Sequence, residues 1–128
     1  MQLNSTTDYA IRIIIYLAKN KHVVSSKKLS EIINVSPRYL LQIGAKLRDA
    51  NLVSVTYGSS GGYALSMPPD QITLFDIIQL MEGFTQSRLN LEYIEAETDE
   101  FQSLFDAYEF VDCIVEQTLK NITIEALI

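Results

Sequence analysis

Arg38, Gln42 and Lys46 follow one another at intervals of four residues, with Arg48 just beyond, so on a helix they share one side. Guanidinium and ammonium groups bind phosphate oxygens and the acceptor edge of guanine, a primary amide matches adenine, and small apolar groups meet the thymine methyl. Turned at about 100° per residue, the segment from Pro37 to about Asn51 puts Leu40, Ile43, Gly44, Leu47 and Ala50 on one side. The opposite side shows Arg38, Gln42, Ala45, Lys46 and Asp49, with Leu41 and Arg48 on one flank and Tyr39 on the other. The first set is a core face. The second is either a solvated helix surface or a surface for the major groove of double-stranded DNA, and the neighbouring elements decide between them.

Those elements read as follows. A first helix starts with Ser5 or Thr6 as cap, carries Asp8 in its first turn and Tyr9, Ala10, Ile13, Ile14, Leu17 and Ala18 at helical spacing, and ends near Lys19 to His22. A short second helix opens at Ser25 or Ser26 and holds Leu29, Ile32 and Ile33, with Lys28 in its first turn. Asn34-Val35 is a tight turn, because Ser36-Pro37 reopens a helix as N-cap and first helical residue. Two β-rich runs, 52–57 and 63–66, flank the turn Gly58-Ser59-Ser60-Gly61-Gly62, and a hairpin directly after a helix-turn-helix is a wing. Glycines here let backbone approach a phosphate. The combination favours DNA: Arg38, Gln42 and Leu41 for bases; Lys28, Ser36, Tyr39, Lys46 and Arg48 for phosphates; Tyr57, Ser59, Ser60 and Gly61 in the wing.

Beyond Pro68-Pro69, Thr73 with Asp76 forms a capping box for a fourth helix carrying Leu74, Ile77, Ile78 and Met81, which Gly83 stops. Residues 84–98 are irregular and acidic, and one long helix runs from Asp99 to about Lys120. Its main stripe is Phe101, Leu104, Phe105, Tyr108, Val111, Val115 and Leu119, while Ala107, Phe110 and Ile114 fall on another side. A helix apolar on two sides needs two covers; the second is most simply the same helix of another copy, in a two-fold homodimer. Thr123 to Ile128 reads as a cap and a final apolar turn. The fold class is mainly α: a winged helix-turn-helix domain over 1–83, then an acidic linker and dimerisation helix over 84–128.

Length and charge fit this plan. The 128 residues, 48% hydrophobic and 20% charged, make one ordinary globular domain. Residues 1–66 hold eight basic and three acidic side chains, net +5, whereas 67–128 hold two and thirteen, net −11. The basic half suits a polyanion despite the overall −6. No apolar run is long enough to span a membrane and the start lacks a signal-peptide layout, so a cytoplasmic protein is expected.

Other chemistry is poorly served. Cys113 is the single cysteine, which excludes an internal disulfide; among Glu109, Phe110, Asp112 and Glu116 it is read as a small buried hydrophobe. His22 stands in a loop without a partner in sequence, and the acidic run from Glu92 to Glu100 lacks calcium-loop spacing. With no nucleophile–base pair, phosphate loop or metal triad, neither an enzyme nor a metal or cofactor is expected.

The chain resembles the Rrf-two family of winged-helix transcription regulators over nearly its whole length. The resemblance is carried by Thr7-Asp8-Tyr9-Ala10-Ile11-Arg12, by Val35-Ser36-Pro37-Arg38-Tyr39-Leu40-Leu41-Gln42 with Lys46-Leu47-Arg48, and by Gly58-x-x-Gly61-Gly62-Tyr63-x-Leu65. It continues through Pro69-Asp70-Gln71-Ile72-Thr73-Leu74, Glu82-Gly83 and Asn121-Ile122-Thr123-Ile124. It implies a homodimeric repressor or activator, with the third helix in the major groove and the wing on phosphates or the minor groove. Members commonly carry Arg where Tyr57 stands, so a basic minor-groove contact does not carry over, and cluster-binding members have an acidic residue in place of Leu41. Leu41 therefore either meets a thymine methyl or packs against the first helix. Cluster-binding members also supply three close cysteines between the fourth and the long helix, and residues 84–112 contain none. Asp8, at a ligand position of the nitric-oxide-sensing members, is read as a first-turn carboxylate favoured by the helix dipole. A protein-interaction module that has lost DNA binding is the alternative, and the effector is not specified by the sequence.

Overall fold

The computed structural model describes residues 3–83 and 99–128. Helix α1 (Ser5–Lys19) is capped by Asn4, whose Oδ1 accepts from the Thr7 N–H at 2.9 Å. The cap thus lies ahead of the expected Ser5 or Thr6, which sit in the first turn; Asn and Ser are equally good caps, and register against the core decides. Helix α2 (Ser26–Ile33) takes its cap from Ser25, and Asn34 at φ 62° closes it. Helix α3 (Pro37–Asp49) starts at Ser36, whose Oγ accepts from the Tyr39 N–H at 3.1 Å. It stops two residues short of Asn51, which turns the chain at φ 62° into strand β1 (Val53–Thr56). Strand β2 (Gly62–Leu65) pairs antiparallel with it, Val55 opposite Tyr63, and completes the wing.

Two pairings join segments far apart in sequence. Val24 and Tyr63 exchange both backbone hydrogen bonds, at 2.9 and 2.8 Å, so the loop between α1 and α2 adds a one-residue edge to the wing. Gly62 makes this possible, because a Cβ there would run into the Val24 carbonyl. Helix α4 (Leu74–Glu82) has the expected capping box of Thr73 and Asp76 and ends at Gly83. At its start the Leu74 N–H donates to the Ile122 carbonyl at 2.9 Å, and the Ile124 N–H to the Ile72 carbonyl at 2.8 Å.

The core gathers Ile13, Ile14 and Leu17 of α1, Leu29 of α2, Leu40, Ile43 and Leu47 of α3, and Ile72, Ile77 and Ile124. Residues 122–128, on the far side of the expected division at residue 83, thus return to the helix-turn-helix unit. The Thr123 cap and the short turn Ile124–Leu127 are as read from sequence.

The long helix opens with a 3-10 turn at Asp99–Phe101, and regular α5 spans Gln102–Lys120. Phe101 has φ −107° and ψ 12°, so the single helix from Asp99 is not realised. The C-terminal end of α5 lies against α4, with Lys120 Nζ 4.8 Å from the Phe75 ring centroid. Cys113 is exposed, which corrects its reading as a buried hydrophobe: one residue on from buried Asp112, it is turned about 100° round α5 and out of the covered strip. The irregular acidic segment expected at 84–98 lies outside the described residues.

Candidate nucleic-acid interface

Helix α3 divides as its periodicity predicts. Leu40, Ile43, Gly44 and Leu47 are buried and Ala50 is half-buried, whereas Arg38, Leu41, Gln42, Lys46, Arg48 and Asp49 are exposed. Leu41 is 54% exposed, so it stands out from α1 instead of packing against it. Among the described residues Lys28, Arg38 and Lys46 have no ion-pair partner, which leaves three cations available to an external anion. Arg48 differs: its Nε lies 3.3 Å from Asp49 Oδ1, and Asp49 first, then Tyr57, hold the guanidinium above its ordinary value.

Tyr39 is half-buried and held from α1. Its hydroxyl hydrogen-bonds the Thr6 Oγ1, and its ring meets that of Tyr9 edge-on at 5.9 Å. A phenol oxygen takes part in more than one hydrogen bond, so this link leaves capacity for a phosphate. Ser36 is exposed but its Oγ already caps α3. The first turn of α1 is itself tied to α4: Glu82 Oε1 accepts from the Asn4 N–H at 2.9 Å and from the Thr7 hydroxyl at 3.1 Å. A carboxylate at a helix N-terminus is favourable by about 0.3–1 kcal/mol. Sequence reading missed Thr6, Asn4 and Glu82 as contributors, since partners 33 to 78 residues apart leave no local pattern.

The wing is fixed to α3 by Tyr63. A Cβ on Gly44 would sit 2.7 Å from the Tyr63 hydroxyl, so only glycine lets the hydroxyl end of the ring come this close to the helix. Burial pushes the Tyr63 phenol up, against a smaller opposing pull from Arg48. Tyr57 is 80% exposed at the end of β1, and Ser59 and Ser60 are exposed. Gly61 is half-buried, its N–H donating to the Gly58 carbonyl at 3.0 Å.

Of the residues expected to join two copies, Phe101, Leu104 and Val111 are exposed, whereas Phe105, Tyr108, Val115 and Leu119 are half-buried within the chain. Phe110, at 66%, and Ile114, at 50%, stand out further than most of that set.

A three-helix unit with a wing, whose third helix presents Arg38, Lys46 and the Gln42 amide beside that wing, is a winged helix-turn-helix DNA-binding domain. A model of the Rrf2 family, described as "Iron-dependent Transcriptional regulator", matches residues 3–128. The chain belongs to that family and is a DNA-binding transcriptional regulator. It is 33% identical over 130 residues to the HTH-type transcriptional regulator CymR of Bacillus subtilis, covering 99% of this chain and 89% of that one. It is also 33% identical over 97 residues to the HTH-type transcriptional regulator NsrR of Shouchella clausii, covering 74% of this chain and 61% of that one. The solved structure of B. subtilis CymR, a global cysteine regulator, superposes with a TM-score of 0.81 at 32% identity, covering 99% of this chain and 95% of that one. That of T. potens IscR gives 0.78 at 28% identity, with 99% and 85% covered. These relatives are regulators, not enzymes.

The iron in the family's description finds no converging set of donors among the described residues. An iron–sulfur cluster is held chiefly by thiolates, and the whole chain has one cysteine, exposed on α5. Asp8 lies 2.7 Å from Arg12 in an ion pair, and among the described residues no three His, Cys, Asp or Glu side chains converge.

Proposed function

We propose that the protein acts as a homodimer on a pseudo-palindromic operator, without an iron–sulfur cluster, in the cytoplasm. Helix α3 enters the major groove, Arg38, Gln42 and Leu41 meet base edges, and Lys28, Ser36, Tyr39, Lys46 and Arg48 contact phosphates. Tyr57, Ser59, Ser60 and Gly61 bring the wing to the neighbouring backbone. Residues 1–83, with the returning residues 122–128, form the DNA-reading unit, and the chain between them is the dimerising arm, whose available apolar surface runs through Leu104, Phe110, Val111 and Ile114. A repressor is the simplest regulator of this kind. Among the described residues no helix is long and apolar enough to cross a membrane.

The observation that carries the reading is the split of α3: Leu40, Ile43 and Leu47 are committed to the core, and its outer side holds Arg38 and Lys46, which have no ion-pair partner among the described residues. The test is fluorescence anisotropy on a duplex of the protein's own upstream intergenic DNA and on a scrambled duplex, across a salt series. Arg38→Ala should reduce the preference between the two by about 1–3 kcal/mol. Lys46→Ala should weaken binding to both alike and lower the salt slope by about one. Equal, salt-independent binding to both duplexes would instead favour a protein-interaction module.

A further inference from the structure

We infer that Glu82 is a positioning residue for DNA recognition: through the capped first turn of α1 it sets the place of Tyr39 on α3. The argument rests on reading Tyr39 as a phosphate contact. The Tyr39 side chain packs on the core and is held by two specific contacts from the start of α1, where Thr6 bonds its hydroxyl and Tyr9 meets its ring at 5.9 Å. That turn is in turn held by two acceptors. Asn4 Oδ1 takes the Thr7 N–H at 2.9 Å, and the single proton of the fully buried Thr7 hydroxyl is shared between Asn4 Oδ1 at 3.0 Å and Glu82 Oε1 at 3.1 Å. The same Glu82 oxygen receives the Asn4 N–H at 2.9 Å. Glu82 is thus the group outside α1 that fixes the geometry of its cap.

Its position gives this link a consequence. Glu82 is the last residue of α4, and Gly83, at φ 65°, is where the chain leaves the DNA-reading unit towards α5. A displacement of that exit moves the carboxylate, loosens the first turn of α1, and releases Tyr39 from the orientation in which its hydroxyl meets a phosphate. The DNA-binding face is therefore responsive at a point that touches no DNA.

Two readouts test this on the full chain. The first is affinity for the upstream duplex in wild type, Glu82→Ala, Glu82→Gln, Tyr39→Phe and the Glu82→Ala/Tyr39→Phe double variant. Glu82→Ala should weaken binding about three- to tenfold, as coupled neighbours do. Glu82→Gln, whose amide oxygen still accepts, should restore most of that loss, and the double variant should be no weaker than Tyr39→Phe alone. The second needs no DNA: in protein carrying 3-fluorotyrosine, the fluorine resonance that Tyr39→Phe removes should shift in Glu82→Ala. A shifted resonance in a protein that binds no duplex would sink the DNA reading of Tyr39 and leave the coupling standing. An unmoved resonance, or a double variant as weak as the product of the singles, would overturn the inference; a folded Glu82→Gln indistinguishable from Glu82→Ala in affinity would do the same.

Discussion

Helices α3 and α5 are both amphipathic, and they end up in opposite situations. The 13 residues of α3 sink Leu40, Ile43 and Leu47 into the core and turn charge, amide and Leu41 outward. Over the 19 residues of α5 only Asp112 is buried, and Leu104, Phe110, Val111 and Ile114 face out. Both patterns look alike in sequence, as apolar stripes of helical period. The difference teaches that a stripe states how much surface must be covered, while the rest of the chain decides whether it does the covering itself.

The comparison breaks most sharply under truncation. Leu40→Ala removes a fully buried side chain from α3 and should lower unfolding free energy by about 2–5 kcal/mol in urea. A loss below about 1 kcal/mol would mean that α3 is less embedded than its burial indicates. For α5 the expected effect is on association. Phe110→Asp with Ile114→Asp should weaken the proposed self-association by about 2 kcal/mol or more, with monomers in sedimentation at concentrations where a dimer is expected of the unmodified protein. An unchanged dimer would move the seam to another face of the helix.

A smaller change probes where α3 meets the wing. Gly44→Ala gains about 1 kcal/mol of helix propensity but forces a Cβ within 2.7 Å of the Tyr63 ring end. Overpacking of about 1–3 kcal/mol should win by roughly 1 kcal/mol, with weaker DNA binding as the wing shifts. The smallest effect is in pH. Burial raises the Tyr63 phenol, so its stabilising contribution is intact below the unfolded value near 10 and is lost as pH rises through the higher folded value. Unfolding of wild type should therefore steepen with alkali above about pH 10, and Tyr63→Phe should flatten that slope.

How much of this could be read from sequence depended on the range of the interaction. Ser36-Pro37, the Thr73–Asp76 capping box and the glycines of the wing act within a few residues, and each lies where it was expected. The split of α3 was equally legible, because its two sides differ in polarity. Four features were not. The choice of Asn4 over Ser5 as cap was decided by packing, and the Val24–Tyr63 bridge joins residues about 40 apart. The Glu82 contacts with α1 likewise span most of the chain. Cys113 was misread because a three-four stripe says which side of α5 is apolar, not which side meets α4. For the same reason, four of the seven residues expected to join two copies are half-buried within the chain.

The backbone pairing of Ile72–Leu74 with Ile122–Ile124 has a mechanical side. The segment that leaves the DNA-reading unit after α4 comes back to the same spot where α4 began, so α5 is carried on a loop clipped shut at its base. A clipped loop transmits torque. Rotation of α5 about its own axis winds against that clasp and is felt at the start of α4, whereas a helix attached at one end would swivel without consequence. Because closing such a loop grows dearer only slowly with length, by about 0.6 kcal/mol per doubling, the arm tolerates insertions between Gly83 and α5 far better than it tolerates loss of Ile124. The clasp should therefore set the slowest amide exchange outside the three core helices, at the N–H groups of Leu74 and Ile124.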